Sequence, residues 1–560
     1  MNWTLGTTQR QATGVKSRHR AASGSRKISF LRRTMVTLAA LALALPAPSL
    51  TPPAHAQNLP NLGDESAAVL TPQMERKIGE GFYRELRRDP SFLDDAEVTA
   101  YLQELGARLL AAGPEPAMSV EFFVIKDRQI NAFAMLGGYI GVNSGLITAS
   151  ESESETASVL GHEIGHLTQK HIARGFAAGK RSSMVSLVAS ALCLLAARSN
   201  PQVASGCLVA SQAGAVQSQL AFSREFEREA DRIGFDILDK GGFDVAAMPV
   251  FFERLQRSTR ILESNAPSYV RSHPLTTERI ADTRNRVQRG EFAAGQSSER
   301  GGRSTGYRAQ AESLTFHLVR AKLRAGADDS IDGTRDVIKH FTTLIESRAG
   351  VYEAANYLGL AYAHLQAKNP AAARAAFARI ANSAAHPMYA ALDARIRRAA
   401  GDAAGALAVL RNALNRHSSS RALQLEVIES LQEAGRHAEA LALLTGQLQL
   451  YRSDPKLHEL QSKSYAAEGK RMAQYQALGE YFVLLGSLPS AIEQFQLARC
   501  TGEADFYQSS ILDSRIRTLW QRLLDERAGE EGAGRTPASA ESGGAPRRPG
   551  VAQGMPTRCQ

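Results

Sequence analysis

The apolar positions favour helices over most of the chain, with one stretch that has the pattern of strands. Residues 156–172 and 223–238 place apolar side chains at helical spacing, and the first of these segments contains no proline. Residues 120–125 and 139–142 are apolar, β-branched runs bounded by glycine, which predicts two strands of a small antiparallel sheet. We therefore expect residues 57–300 to form an α+β domain that is mostly helical with a small sheet.

The second half of the chain repeats. Gly401, Gly435 and Gly469 follow one another at 34-residue intervals, each at a turn between two amphipathic segments. A helix-turn-helix period of this length is typical of tetratricopeptide repeats, whose stacked helix pairs present a concave binding groove. Residues 308–526 are therefore predicted to be an all-α solenoid that binds partners and carries no chemistry of its own.

Composition marks the boundaries of the two parts. From about residue 292 to 307 the chain is rich in Gly, Ser, Arg and Glu, which predicts a linker. Residues 527–560 are rich in Gly, Ala, Pro, Ser and Arg, and we expect them to be a disordered tail.

The N-terminus has the pattern of a signal peptide. Residues 1–56 contain no acidic residue, and their eight Lys or Arg all precede residue 34. An apolar run of eleven residues follows at 35–45, and small residues surround Ala56. The apolar run is too short to span a membrane. Cleavage near Ala56 would reduce the formal charge of +10 by the eight basic residues to about +2, so the charge gives no support for a nucleic-acid partner.

Export would permit disulfides among the four cysteines. Cys193 and Cys207 lie in one apolar stretch, residues 184–215, and could pair across a helical hairpin, which leaves Cys500 and Cys559, although four cysteines allow three connectivities. The same stretch could be a buried core hairpin, a cover over an active site, or a peripheral contact with a membrane surface. Its longest apolar part, residues 185–197, is too short for a spanning helix.

His162, Glu163 and His166 form the strongest chemical motif. On a helix, residues four apart share a face, so the two histidines could both bind one Zn²⁺ ion. Glu163 would then lie beside the open coordination position, where a carboxylate can take a proton from water that the zinc activates. The competing interpretation is a helix with two ordinary surface histidines.

A catalytic zinc commonly needs a third protein ligand. Glu227 and Asp231 lie four apart on the second predicted helix, so Glu227 could bind the metal while Asp231 accepts the second N–H of a zinc-bound histidine. The alternative is a solvated helix face with pairs of opposite charge, which is the interpretation we favour for Glu225 and Glu229.

Several short motifs occur together with this site in one order. They are Asn131-Ala132-Phe133-Ala134, Gly137-Gly138-Tyr139-Ile140, Gly145-Leu146-Ile147, the His162 motif and the run from Glu227 to Asp231. This combination resembles the gluzincin peptidases related to the HtpX and CAAX-prenyl endopeptidases. The resemblance implies one Zn²⁺ per chain, held by His162, His166 and Glu227, with Glu163 as the catalytic base.

The order of leader, peptidase and repeats resembles the family of periplasmic beta-barrel assembly-enhancing proteases of Gram-negative bacteria. This resemblance implies an endopeptidase of the periplasm that acts in quality control and assembly of outer-membrane proteins. Its substrates would be misfolded or stalled outer-membrane proteins, and the repeats would dock to the barrel assembly machinery. The alternative function is a chaperone or assembly adaptor with a latent or structural zinc site.

His273, followed by Pro274 and Leu275, is a further candidate after the ligand helix. It could act as a latch that fills the open zinc position as a fourth ligand, with Pro274 holding the loop extended. It could instead be a transition-state donor, or a loop residue whose neighbours pack the domain.

Overall fold

The computed structural model describes residues 70–178, 224–261, 268–289, 312–347, 352–380 and 386–533. The predicted signal peptide, the apolar stretch from 184 to 215 and the predicted linker lie outside these residues. Cys500 is disulfide-bonded, and the other three cysteines lie outside the described residues. The predicted pairings therefore stay predictions.

The first part of the chain consists of helices around a three-stranded sheet. The helices are α1 (Pro72–Arg88), α2 (Ala96–Ala112), α3 (Ser144–Ala149), α4 (Glu153–Thr168), α5 (His171–Ala178), α6 (Arg224–Lys240), α7 (Ala247–Ile261), α8 (Ser268–Ser272) and α9 (Thr277–Arg289). The strands are β1 (Glu121–Ile125), β2 (Ala132–Met135) and β3 (Tyr139–Asn143). This is the mostly helical α+β class expected from the sequence.

The sheet differs from the prediction in its pairing. The two predicted strands, β1 and β3, pair in parallel, and β2, which the apolar pattern did not reveal, pairs antiparallel to β3. The reason is the number of reversals: the chain turns back after β1 and again at Gly137 and Gly138, so β3 runs in the direction of β1. Both glycines have a positive φ, of 80° and 88°, which a side chain would disfavour. The strand order β1-β3-β2 leaves β2 at an edge.

The predicted helix over residues 156–172 is divided in two. Helix α4 begins after Ser152, whose side chain accepts the N–H of Glu155, and it ends at Thr168. Lys170 then adopts a left-handed conformation with φ of 51°, and α5 begins at His171. No glycine or proline marks this break, which is why the periodicity suggested one helix.

Helices α4 and α6 cross with their backbones in contact. A Cβ added to Gly234 of α6 would lie 2.9 Å from the backbone nitrogen of His162, and one added to Gly165 of α4 would lie 3.0 Å from the Cα of Ala230. Small residues on both sides therefore bring the two helices closer than ordinary side chains would permit.

The second part of the chain is a run of antiparallel helix pairs. They are α10 (Leu314–Ala325), α11 (Ile331–Glu346), α12 (Glu353–Gln366), α13 (Pro370–Phe377), α14 (Pro387–Ala399), α15 (Ala403–Arg416), α16 (Arg421–Glu433), α17 (His437–Leu450), α18 (Pro455–Ala467), α19 (Arg471–Leu484), α20 (Leu488–Cys500) and α21 (Phe506–Ala533). Residues 527–533 thus belong to the last helix and not to the predicted tail.

The glycines that carry the 34-residue period have the expected role. Gly401, Gly435 and Gly469 each lie between the two helices of a pair, with φ of 82°, 72° and 73°. One repeat earlier, Lys368 takes the same conformation with φ of 55° between α12 and α13. The period therefore reflects a left-handed residue at each tight turn.

The first helix of the second part, α10, packs against the first part of the chain. The described residues belong to one compact unit, and a single apolar cluster includes Leu105 and Leu160 together with Phe316 and Leu358. Lys322 of α10 is buried against the carboxylates of Glu97 and Asp95 at the start of α2. The position of the predicted boundary near residue 300 stays a prediction, because the residues around it are outside the described segments.

In the part of the chain that the structure describes, no helix has the length and apolar character that crossing a membrane requires.

Gly234→Ala tests the close approach of α4 and α6. The added methyl group has no space beside the backbone of His162, so we expect a loss of roughly 1–3 kcal/mol from overpacking, measured as a lower thermal unfolding midpoint. Gly446→Ala on α17 is the control, because nothing lies within 4 Å of the added atom. That variant should be neutral or stabilised by roughly 0.5–1 kcal/mol. Equal midpoints for the two variants would contradict the packing argument.

Lys322→Met tests the ion pair between α10 and α2. The variant leaves Glu97 and Asp95 without their buried cation, so we expect the unfolding free energy to fall by roughly 3–5 kcal/mol. Lys339→Met on α11 removes an exposed lysine with the same change of side chain and should alter stability little. Urea unfolding of both variants measures the difference, and a Lys322 variant as stable as the control would show that the pair is dispensable.

Candidate metal centre

Three elements contribute the side chains of the site. Helix α4 presents His162 and His166, α6 presents Glu227, and the loop after α8 presents His273. The four ligand atoms of these residues all lie within 4.8 Å of one another, and all four residues are buried. His162 and His273 are 111 residues apart in the sequence. The structure thus brings together the predicted ligand set and the predicted latch residue.

The polar atoms of these four side chains converge on one position. The Nε2 atoms of His162 and His166 are 2.9 Å apart, and the carboxylate of Glu227 lies 3.4 Å and 3.5 Å from them. The Nδ1 atom of His273 lies 3.2 Å from Oε1 of Glu227. The ring of Tyr269 stacks on His273 with centroids 4.8 Å apart, a neighbour that no sequence motif indicated.

Glu163 faces the cluster from α4 and is held by the sheet. Its Oε2 accepts the backbone N–H of Ala134, on edge strand β2, at 3.0 Å. Its Oε1 has no hydrogen-bond partner among the described residues and lies 3.5 Å from Nε2 of His273. Burial raises the pKa of Glu163 above its usual range, although His273 and His162 act to lower it. One carboxylate oxygen is therefore fixed while the other is directed at the site.

Asp231 lies behind His162, with Oδ1 2.9 Å from the Nδ1 of that ring. Arg279 of α9 holds the carboxylate with two hydrogen bonds of 2.6 Å and 2.7 Å, and also reaches Glu227 at 2.8 Å. Burial acts to raise the pKa of Asp231, but the Arg279 guanidinium outweighs it and holds the pKa below its usual range. No sequence motif revealed this bidentate pair.

The buried charges of the cluster suit a divalent cation. Among the described buried residues, Glu163, Glu227 and Asp231 formally carry three negative charges and Arg279 carries one positive charge. With neutral imidazoles the difference is two negative charges in a buried environment, which is costly unless bound protons or a cation balance them. Burial acts to lower the pKa of His162, yet Asp231 and Glu227 raise it to about 9, in keeping with this negative field. The donor set, two or three imidazoles with one carboxylate, is one that zinc accepts.

Glu229 is partly exposed, but its partners lie on α5 and not on its own helix, which differs from the sequence interpretation. Its Oε2 atom is 3.1 Å from Nε2 of His171 and 3.0 Å from Nη1 of Arg174. The Nδ1 atom of His171 in turn lies 2.8 Å from Nδ1 of His166. A spacing of five residues between the two histidines gives no signal of this contact, because it depends on the break after α4. Glu225 is exposed, as expected.

Comparison with known proteins identifies both parts of the chain. Residues 96–287 match the model of peptidase family M48, and residues 397–464 match a tetratricopeptide repeat model. The beta-barrel assembly-enhancing protease of Escherichia coli (strain K12) is 30% identical over 503 residues, which are 89% of this chain and 98% of that protein. The corresponding protein of Yersinia pestis is 30% identical over 84% of this chain and 92% of its own length.

Two other relatives match over a shorter region. A putative beta-barrel assembly-enhancing protease of Vibrio cholerae is 39% identical over 259 residues, which are 46% of this chain and 53% of that protein. The metalloprotease LoiP of Escherichia coli (strain K12) is 32% identical over 30% of this chain. The peptidase fold with its converging ligands, the repeats and the nearly full-length similarity agree: this chain is a metalloendopeptidase that belongs to the family of beta-barrel assembly-enhancing proteases.

Proposed function

We propose that this chain is a zinc-dependent endopeptidase that acts in quality control and assembly of outer-membrane proteins. His162, His166 and Glu227 hold one zinc ion, and Glu163 is the catalytic base. The observation that carries the proposal is the convergence of four buried side chains whose candidate ligand atoms lie within 4.8 Å of one another. Beside them is the Glu163 carboxylate, whose Oε1 has no hydrogen-bond partner among the described residues.

When bound, zinc would act as a Lewis acid toward water and the scissile carbonyl. The chain's own residues provide the proton chemistry. Glu163 Oε1 takes the proton of the attacking water and delivers it to the amine that leaves, while the Ala134 N–H keeps the other oxygen in place. Asp231 is a positioning residue: it orients the ring of His162 through Nδ1 and is itself fixed by Arg279.

Edge strand β2 is the candidate platform for the substrate backbone. It pairs with β3 on one side, and its Ala134 N–H points to Glu163, so the strand runs beside the catalytic carboxylate. An extended polypeptide that added to this edge would be held by main-chain hydrogen bonds and would require little of its side chains. Such binding suits an enzyme whose clients are unfolded segments.

His273 is proposed as a latch. Its Nδ1 lies 3.4 Å from His162 Nε2 and 3.2 Å from Glu227, while its Nε2 faces Glu163. A ring in this position takes the space that the attacking water needs, so hydrolysis requires the loop to move. Arg279 donates a hydrogen bond to the carbonyl of Pro274 at 2.9 Å and so ties the loop to the same residue that orients Asp231.

Export to the periplasm and the partners are part of the same proposal. The basic and apolar leader of residues 1–56 supports export, and the relatives named for beta-barrel assembly support outer-membrane proteins as substrates. The tetratricopeptide repeats support recruitment of these clients, or of the barrel assembly machinery, through their concave face.

Glu163→Gln tests the base. Glutamine keeps the size of the side chain but cannot accept the proton, so casein cleavage should fall roughly 100-fold or more while zinc content stays the same. The control is Glu225→Gln, an exposed carboxylate of α6, which should keep the activity. Zinc content and cleavage are measured on the same preparations of the full mature chain. Near-normal cleavage by a zinc-loaded Glu163→Gln variant would exclude Glu163 as the base. A zinc-loaded wild-type chain that does not cleave casein would instead favour a chaperone or adaptor whose zinc is structural.

His273→Ala tests the latch. Removing the ring opens the space beside Glu163, so basal proteolysis should rise severalfold at unchanged zinc content. His458→Ala, a substitution on repeat helix α18, serves as the matched control and should leave the rate as it is. A large fall in the rate would instead identify His273 as a transition-state donor, and an unchanged rate would make it a packing residue of the loop.

A further inference from the structure

We propose that His171 is a positioning residue of the metal site. It fixes the tautomer and orientation of His166 through one ring nitrogen, and its other ring nitrogen donates a hydrogen bond to Glu229. The inference rests on the proposed metal site at His162, His166 and Glu227, and adds a second set of residues behind one of its ligands.

With a metal on Nε2 of His166, the positions of the ring nitrogens leave one arrangement of protons. The Nδ1 atoms of His166 and His171 are 2.8 Å apart, so one of them carries the hydrogen and the other accepts it. If Nε2 of His166 binds the metal, its proton is on Nδ1 and the acceptor is Nδ1 of His171. His171 then carries its own proton on Nε2, which faces the Glu229 carboxylate at 3.1 Å. Each donor in this series of hydrogen bonds therefore has an acceptor.

The local backbone places His171 for this contact. Because Lys170 is left-handed, the chain turns at the end of α4 and brings the first residue of α5 back to His166. The imidazole is fully buried and stacks on Phe226 of α6, with centroids 4.5 Å apart and ring planes 11° apart. The guanidinium of Arg174 covers the same Phe226 ring at 4.7 Å and binds Glu229. The ring of His171 therefore has one orientation available.

Charge explains why an imidazole stands here and not a carboxylate. His162 has a carboxylate, Asp231, directly behind it, and that negative charge is balanced by Arg279. A further buried carboxylate behind His166 would leave one negative charge unbalanced beside a divalent ion. With His171 in between, the carboxylate of Glu229 lies where 26% of its side chain is exposed and Arg174 neutralises it. The ligand is oriented without additional buried charge.

The test uses the full mature chain and two readouts that do not depend on proteolysis. The zinc dissociation constant is measured by competition with a chelator, and the visible absorption spectrum of the Co²⁺-loaded protein reports the ligand geometry. His171→Phe keeps a ring to stack on Phe226 but has no nitrogen. His171→Asn provides an oxygen at the position of Nδ1 and removes the ring. Glu229→Gln removes the negative charge that accepts the hydrogen bond from His171. Glu225→Gln on the same helix is the control.

We expect His171→Phe to weaken zinc binding about 10- to 100-fold and to alter the cobalt spectrum. His171→Asn should recover part of the affinity, Glu229→Gln should have a smaller effect, and Glu225→Gln should match the wild type. A His171→Phe variant with wild-type affinity and spectrum would overturn the proposal, as would equal losses for the Phe and Asn variants, since packing alone would then explain them. A wild-type chain that binds no zinc would reject the metal site itself and this inference with it.

Discussion

The backbone contact between α4 and α6 is the constraint on which the rest of the site depends. At Gly161, Gly165 and Gly234 an added Cβ would meet backbone of the opposite helix at 3.2 Å or less. Only at this separation can a carboxylate of α6 reach between two imidazoles of α4. The glycines reduce the helix propensity of both segments, and packing of the buried apolar faces offsets that loss. The same glycines therefore lower the intrinsic helix propensity of α4 and α6 and allow the predicted ligands of the two helices to lie close together.

Electrostatics add a second constraint, because the site concentrates carboxylates in a buried region. Asp231 and Glu227 share the guanidinium of Arg279, which bridges the carboxylate that orients a histidine and the carboxylate among the ligands. The same guanidinium binds the loop that carries His273. One buried arginine thus contacts the carboxylate that faces His162, the carboxylate of Glu227 and the loop that carries His273.

Much of this arrangement follows from the sequence, and the remainder has a common physical cause. Spacing of four residues on a helix predicted that His162 pairs with His166 and Glu227 with Asp231, since helical periodicity determines which side chains share a face. The 34-residue spacing of Gly401, Gly435 and Gly469 predicted the repeat turns. The parallel pairing of β1 with β3, the break at Lys170, the role of Arg279 and the contact between His171 and His166 were not predicted. Each of these depends on segments distant in sequence or on one backbone conformation, for which local periodicity carries no information.

The wide separation of the ligands along the chain has a consequence for how the enzyme persists in a cell. Two imidazoles on one helix are a weak chelator, and a complete site exists only after α6 and the loop at His273 have reached α4. Metal therefore binds the native state and hardly the unfolded one, and by mass action it shifts the folding equilibrium toward the native state. When the metal is scarce, such a protein loses thermodynamic protection together with turnover, and becomes a better target for the other proteases of its compartment. Metal supply would then control the abundance of this enzyme as well as its rate.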